Sequence, residues 1–103
     1  MESGARLMSG GARPQGLKTG YYIQPTVFSE VDPSTRLARE EVFGPVLAVM
    51  PFDTEEEVIG LANSTDYGLV GGLFTTDLAR AHRVAARIEA GLVSVNTFRP
   101  VHW

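Results

Sequence analysis

The chain has 103 residues, 44% of them hydrophobic and 20% charged, with a formal charge of −3. That length supports one domain with a modest core, and the composition excludes wholesale disorder. The acidic balance excludes the basic footprint of a nucleic-acid binder, and no apolar run approaches the ~20 residues of a membrane span. With no cysteine there are no disulfides, no thiolate ligand and no thiol nucleophile. Met1 to Gly16 lacks an apolar signal core, so a cytoplasmic protein is expected, without nucleic acid or membrane as partner.

Residues 1–20 are rich in Gly, Ser and Arg and read as an N-terminal loop with a short edge strand around Ala5 to Met8. Residues 21–103 form the main body. Tyr22, Ile23, Val27 and Phe28 give strand character from Tyr21 to Val31; Pro25 lacks an N–H and sets that strand at an edge or kinks it. Asp32-Pro33-Ser34 predicts a turn, and Thr35 to Glu41 one helical turn. Val46 to Phe52 is apolar enough for a buried strand.

Thr54 followed by Glu57 has capping-box spacing, and Val58, Leu61 and Ala62 continue it as a helical stripe. The cluster Asn63-Ser64-Thr65-Asp66 and then Gly68 stop that helix. Leu69 to Phe74, with two central glycines, reads as a strand approached closely by another backbone. A second helix is predicted from Thr76 or Asp77, with Leu78, Ala81, Ala85 and Ile88 on one side and Arg80, Arg83 and Arg87 on another. Gly91 is placed for a left-handed cap, and Leu92 to Val95 is a last strand. Strand, helix, strand, helix, strand from Val46 onward predicts an α/β fold: a mixed, mainly parallel sheet with two crossover helices.

Few residues carry chemistry. His82 and His102 are the only histidines, and His82 has no ligand partner at helical spacing, so no metal site is predicted. Gly10-Gly11 and Gly71-Gly72 match neither the dinucleotide fingerprint nor the P-loop, and no Gly-x-Ser-x-Gly elbow exists. No catalytic residue is assigned. The stretch Glu40-Glu41-Val42-Phe43-Gly44-Pro45-Val46 is different. Acids before a strand are ordinarily solvated ends, but here Gly44 permits unusual backbone angles and Pro45 fixes its own. A turn so held aims a carboxylate, which accepts hydrogen bonds from paired hydroxyls, and an aromatic face, which packs on a planar ring. The run Thr97 to Trp103 carries two aromatics, Phe98 and the only Trp, unlike a polar tail, and suggests a segment that packs against something further on.

Five blocks together resemble the NAD(P)-dependent aldehyde dehydrogenase superfamily. They are Gly20 to Phe28, Glu40 to Val46, Asn63 with Tyr67-Gly68-Leu69, Phe74-Thr75 with Asp77-Leu78, and Ala90-Gly91 with Val95-Asn96. The blocks stand in the family's order and spacing from about Arg6 onward, and Glu-Glu-aliphatic-Phe-Gly-Pro is the most specific of them. The resemblance implies that Glu41 binds the nicotinamide ribose hydroxyls and that Phe43 lies near the nicotinamide. It implies that Phe98 and Trp103 line the aldehyde tunnel, and that Val95-Asn96 serves strand and loop geometry. The implied reaction is oxidation of an aldehyde to an acid with NAD or NADP, through a cysteine nucleophile.

The family's cysteine, general-base glutamate, oxyanion-hole asparagine and cofactor domain have no counterpart here. The chain therefore resembles the C-terminal half of a catalytic domain, and alone it is expected to be inactive and to bind the cofactor weakly or not at all. Its expected partners are the missing remainder of the enzyme or a second copy of itself. The alternative from another class is a non-catalytic α/β interaction or oligomerisation module, motivated by the apolar C-terminal run and unpaired strand edges.

Overall fold

In a computed structural model, which describes residues 4–97, the chain forms five strands and three helices. The order is β1 (Arg6–Ser9), β2 (Thr26–Ser29), α1 (Arg36–Arg39), β3 (Val46–Ala48), α2 (Glu55–Ala62), β4 (Val70–Leu73), α3 (Leu78–Ala85) and β5 (Leu92–Val95). They fall into two compact units, Met1–Pro51 and Phe52–Trp103.

In the first unit β2 is central. β1 pairs with it antiparallel (Leu7↔Phe28), with a bulge between Leu7 and Ser9, and β3 pairs with it parallel (Thr26↔Val46). Of the two expectations for Pro25, an edge position or a kink, the edge is overturned: β2 begins just after the proline and lies at the centre of the sheet. Thr26 is 3% exposed, and its hydroxyl is satisfied twice: it accepts from the Gly11 N–H at 2.9 Å and donates to the Gln24 carbonyl at 2.7 Å. The close approach needs glycine at Gly10, where φ is +75° and a Cβ would stand 2.1 Å from the Pro25 carbonyl oxygen. Val31 and Ala5 are the buried apolar residues here.

The predicted helical turn is α1, capped by Thr35, whose hydroxyl accepts from the Ala38 N–H. Before it, the Asp32 carboxylate accepts from the Ser34 N–H at 2.8 Å and the Ser34 hydroxyl at 2.6 Å, and those bonds hold its pKa below the ordinary value. β3 is shorter and more exposed than a buried strand: Leu47, Val49 and Phe52 stand largely in water. β3 is an edge of its sheet, with β2 as its partner.

In the second unit β4 and β5 are parallel (Val70↔Leu92 to Leu73↔Val95), and α3 is the crossover between them. The mixed α/β class therefore stands, with one correction. β3 and β4 belong to different sheets, so α2 is a connection between sheets and not a second crossover. The capping box is present in shifted form. The Glu57 N–H donates to Thr54 Oγ1 at 3.2 Å, and the Glu57 carboxylate accepts from the N–H of Asp53, one residue before the cap.

Burial on α2 is offset from the predicted stripe, while on α3 Ala81 is buried as predicted, Ala85 and Ile88 are half-buried, and Leu78 departs from the stripe. Ile59 is the buried residue of α2; Ala81 and Val84 are those of α3, while Leu78 is 74% exposed. The glycines of β4 meet side chains: a Cβ at Gly71 would lie 2.7 Å from Ile88 Cγ2, and one at Gly72 would lie 2.7 Å from Ser94 Oγ. Gly91 is not a left-handed cap. α3 stops at Ala85, and Gly91 has no positive φ. Its N–H donates to the Gly68 carbonyl at 2.8 Å, and a Cβ there would touch the Leu69 carbonyl oxygen at 3.5 Å, so its place is a close strand approach.

Candidate functional site

The two acids of the Glu-Glu block are placed differently by the end of α1. Glu40 is the C-cap, already extended (φ −103°, ψ 142°), and its N–H closes the helix on the Arg36 carbonyl at 2.8 Å. Its side chain turns back one helical turn. Arg36 Nε donates to Oε1 at 2.8 Å and Arg36 Nη2 to Oε2 at 2.9 Å. That fork lowers the Glu40 pKa, through the Arg36 hydrogen bonds first, and raises that of Arg36. Both groups remain open to water, so the pair orients a carboxylate and adds little stability.

Glu41, Val42 and Phe43 follow on an exposed bend; the Phe43 ring is 95% exposed. The Gly44 N–H donates to the Val42 carbonyl at 2.9 Å, and the Val46 N–H donates to the Gly44 carbonyl at 2.8 Å. The Thr26 N–H holds the Pro45 carbonyl at 2.8 Å, which ties the bend to the central strand. Gly44 contributes less than the sequence suggests: its φ is not positive and a Cβ would meet nothing within 4 Å. Stiffness comes from Pro45 and the three backbone bonds. Sequence reasoning missed Arg36, although Arg and Glu four apart after a Thr cap is a readable signal. It also missed the Thr26 anchor, which leaves no such signal.

Phe98 and Trp103 lie outside the described residues. Asn96, at φ +57°, closes the loop after β5: its Oδ1 accepts from the Thr75 N–H at 2.8 Å, its Nδ2 donates to the Thr75 carbonyl at 3.0 Å, and its own N–H donates to the Leu73 carbonyl at 2.8 Å. This is the strand-and-loop role expected for Val95-Asn96. Among the described residues no cluster of three or more His, Asp or Glu is set to hold a metal, and no helix is long and apolar enough to cross a membrane.

The mixed α/β scaffold thus carries an acid and an exposed aromatic on a tied Gly-Pro bend. The comparisons give it a family: residues 1–103 match the model of the aldehyde dehydrogenase family, and the chain belongs to that family. It is 53% identical over 96 residues to a betaine aldehyde dehydrogenase of Rhizobium johnstonii and 55% identical over 96 residues to betaine aldehyde dehydrogenase 1 of Rhizobium meliloti. Each match covers 92% of this chain and 20% of the relative. Among solved structures, an aldehyde dehydrogenase from Bartonella henselae matches with a TM-score of 0.92 at 44% identity, over 97% of this chain and 21% of that one. A Mycobacterium tuberculosis aldehyde dehydrogenase complexed with NAD+ matches with a TM-score of 0.89 at 48% identity, over 94% of this chain and 20% of that one. The chain thus spans about a fifth of the length of the curated relatives it matches.

Proposed function

We propose that this chain supplies the nicotinamide end of the cofactor site of an aldehyde dehydrogenase. In this reading Glu41 accepts hydrogen bonds from the nicotinamide ribose hydroxyls and Phe43 lies beside the nicotinamide. The observation that carries it is the bend itself: an almost fully exposed Phe43 on backbone tied from Val42 to Val46, with the Glu41 acid immediately before it. The donor set suits the group. A carboxylate accepts from two adjacent hydroxyls, and an aromatic ring offers a face or edge to a planar ring. Because Arg36 occupies both oxygens of Glu40, the two adjacent acids have separate duties.

The reaction proposed for the whole protein is oxidation of an aldehyde to a carboxylic acid. The bound NAD+ or NADP+ supplies the hydride acceptor, and this chain orients the nicotinamide. Betaine aldehyde is the first substrate to assay, given the relatives, and NAD+ the first cofactor. Residues 21–103 are read as part of the catalytic domain, with 1–20 as a loop and edge strand leading into it. Phe98 and Trp103 are proposed, by family resemblance, to line the aldehyde tunnel. With no cysteine to form the thiolate, the chain alone is inactive and binds the cofactor weakly. Large apolar side chains in water, Tyr21, Phe43, Leu69 and Leu78 among them, are surfaces for the remaining four-fifths of such an enzyme, and in its absence they promote self-association.

The test is NADH formation by the 103-residue chain with NAD+ and betaine aldehyde or a simple aliphatic aldehyde. No turnover above a blank is expected; turnover would contradict the reading. Light scattering should show association that grows with concentration.

A further inference from the structure

In the second unit α2 is fastened at its two ends by different chemistry. At the C-terminal end the Asn63 amide bridges the chain after α3: Nδ2 donates to the Arg87 carbonyl at 2.8 Å and Oδ1 accepts from the Glu89 N–H at 2.9 Å. These bonds carry no net charge. At the N-terminal end Glu55 takes Arg83 Nε at 2.6 Å, Arg83 Nη2 at 2.8 Å and Arg80 Nε at 3.4 Å, while Glu56 takes both Nη1 and Nη2 of Arg87, the latter at 2.8 Å. These are charge pairs, half open to water, and therefore open to screening by salt.

Between the two fastenings lies an apolar cleft of about 580 Å³. Phe52 and Val58, Leu73, Phe74, Val84 and Ile88 line it, and so do Glu55 of α2 and Arg80 of α3. The first turn of α2 therefore shares this cleft with residues of β4 and α3, unfilled among the described residues, and the buried anchor of the helix, Ile59, comes a turn later. Packing holds the middle of α2, an amide holds its end, and charge holds its beginning.

We propose that α2 is a latched strap over this cleft: Asn63 is the hinge, Glu55 with Arg80 and Arg83 is the latch, and loss of the ion pairs frees the N-terminal half of α2 and opens the cleft. Arg87 couples the two ends, since its carbonyl serves the hinge while its guanidinium serves Glu56. Asp77, the cap of α3, adds a weak attraction that favours the charged form of Arg83. The Glu57 carboxylate is committed to the Asp53 N–H, so it moves with the strap.

Amide hydrogen exchange by NMR on the 103-residue chain tests this. On raising NaCl from about 0.02 M to about 1 M, the Debye length falls from over ~20 Å to ~3 Å. Exchange at the Glu57 and Val58 N–H groups, which bond to Thr54, should then quicken roughly three- to tenfold, the scale of surface ion pairs. The Asn63 and Glu89 N–H groups should not follow. Glu55→Gln, or Arg83→Gln if the first fails to fold, should exchange faster at Val58 already at low salt and keep only the smaller salt response of the remaining Glu56–Arg87 pair. Asn63→Ala should speed Glu89 at both salts and leave the Val58 response in place. Salt-independent exchange at Val58, an equal rise across α2, α3, β4 and Glu89, or uniformly fast exchange throughout would each overturn the strap.

Discussion

The two units are built from nearly equal lengths of chain and are held by different forces. The first depends on backbone: a central strand paired on both sides, a buried threonine hydroxyl with two partners, and a glycine where no Cβ fits. The second packs α3 on a two-stranded sheet and ties α2 to α3 with carboxylate–guanidinium forks and the Asn63 amide. The bend proposed to meet the nicotinamide sits on the first kind of scaffold, its backbone tied to the central strand. The second, with charges on its helices and a cleft beneath one of them, is the more responsive to solvent.

The sharpest way to break the first unit is Gly10→Ala. A Cβ there would stand 2.1 Å from backbone oxygen at a positive φ, so a loss of about 3 kcal/mol or more is expected, read from urea unfolding followed at β1 and β2. In the second unit the largest effect belongs to Ile59→Ala, which removes the buried side chain of α2; about 2–4 kcal/mol should be lost. Thr54→Ala removes the cap of the same helix for about 1 kcal/mol, with fraying confined to the first turn in amide exchange.

The response to acid separates the units next. The Glu55 pKa is pulled from the ordinary carboxylate range down to about 2, by the Arg83 hydrogen bonds first. A carboxylate whose folded pKa is depressed stabilises the fold fully above its unfolded pKa, and that contribution is lost as pH falls toward and through the folded one. The urea midpoint of the parent should therefore exceed that of Glu55→Gln at pH 6, and the gap should close between pH ~4.5 and ~2. A gap that persists at the acid end would remove the ion pair from the account of α2. Smallest is Arg36→Ala: the i,i+4 fork to Glu40 is in water, so stability should change by no more than about 0.5 kcal/mol while the Glu40 carboxyl titrates closer to its ordinary value.

Much of this was legible in the amino acids. Strand β2, the turn at Asp32, the caps at Thr35, Thr54 and Asp77, and the alternation from β3 to β5 follow from local chemistry at named positions, and the Glu-Glu-Val-Phe-Gly-Pro block carried the family. The misreadings have a common cause. Leu47 and Leu78 look like core by pattern, yet the structure leaves them in water, because pattern reports which residues seek burial and not whether anything in the chain covers them. The separation of β3 and β4 into different sheets is a choice of strand partners at long range, and local propensity does not carry it. The Asn63 and Asn96 bridges join residues more than twenty positions apart and leave no trace in spacing.

The central claim concerns the bend after α1, and a titration of the isotopically labelled chain with nicotinamide mononucleotide reads it most directly. The account predicts weak shift changes centred on Glu41 to Val46, lost in Glu41→Gln, reduced in Phe43→Ala and kept in Glu40→Gln. Changes centred instead on the α2 cleft, or an unaltered response in Glu41→Gln, would contradict it.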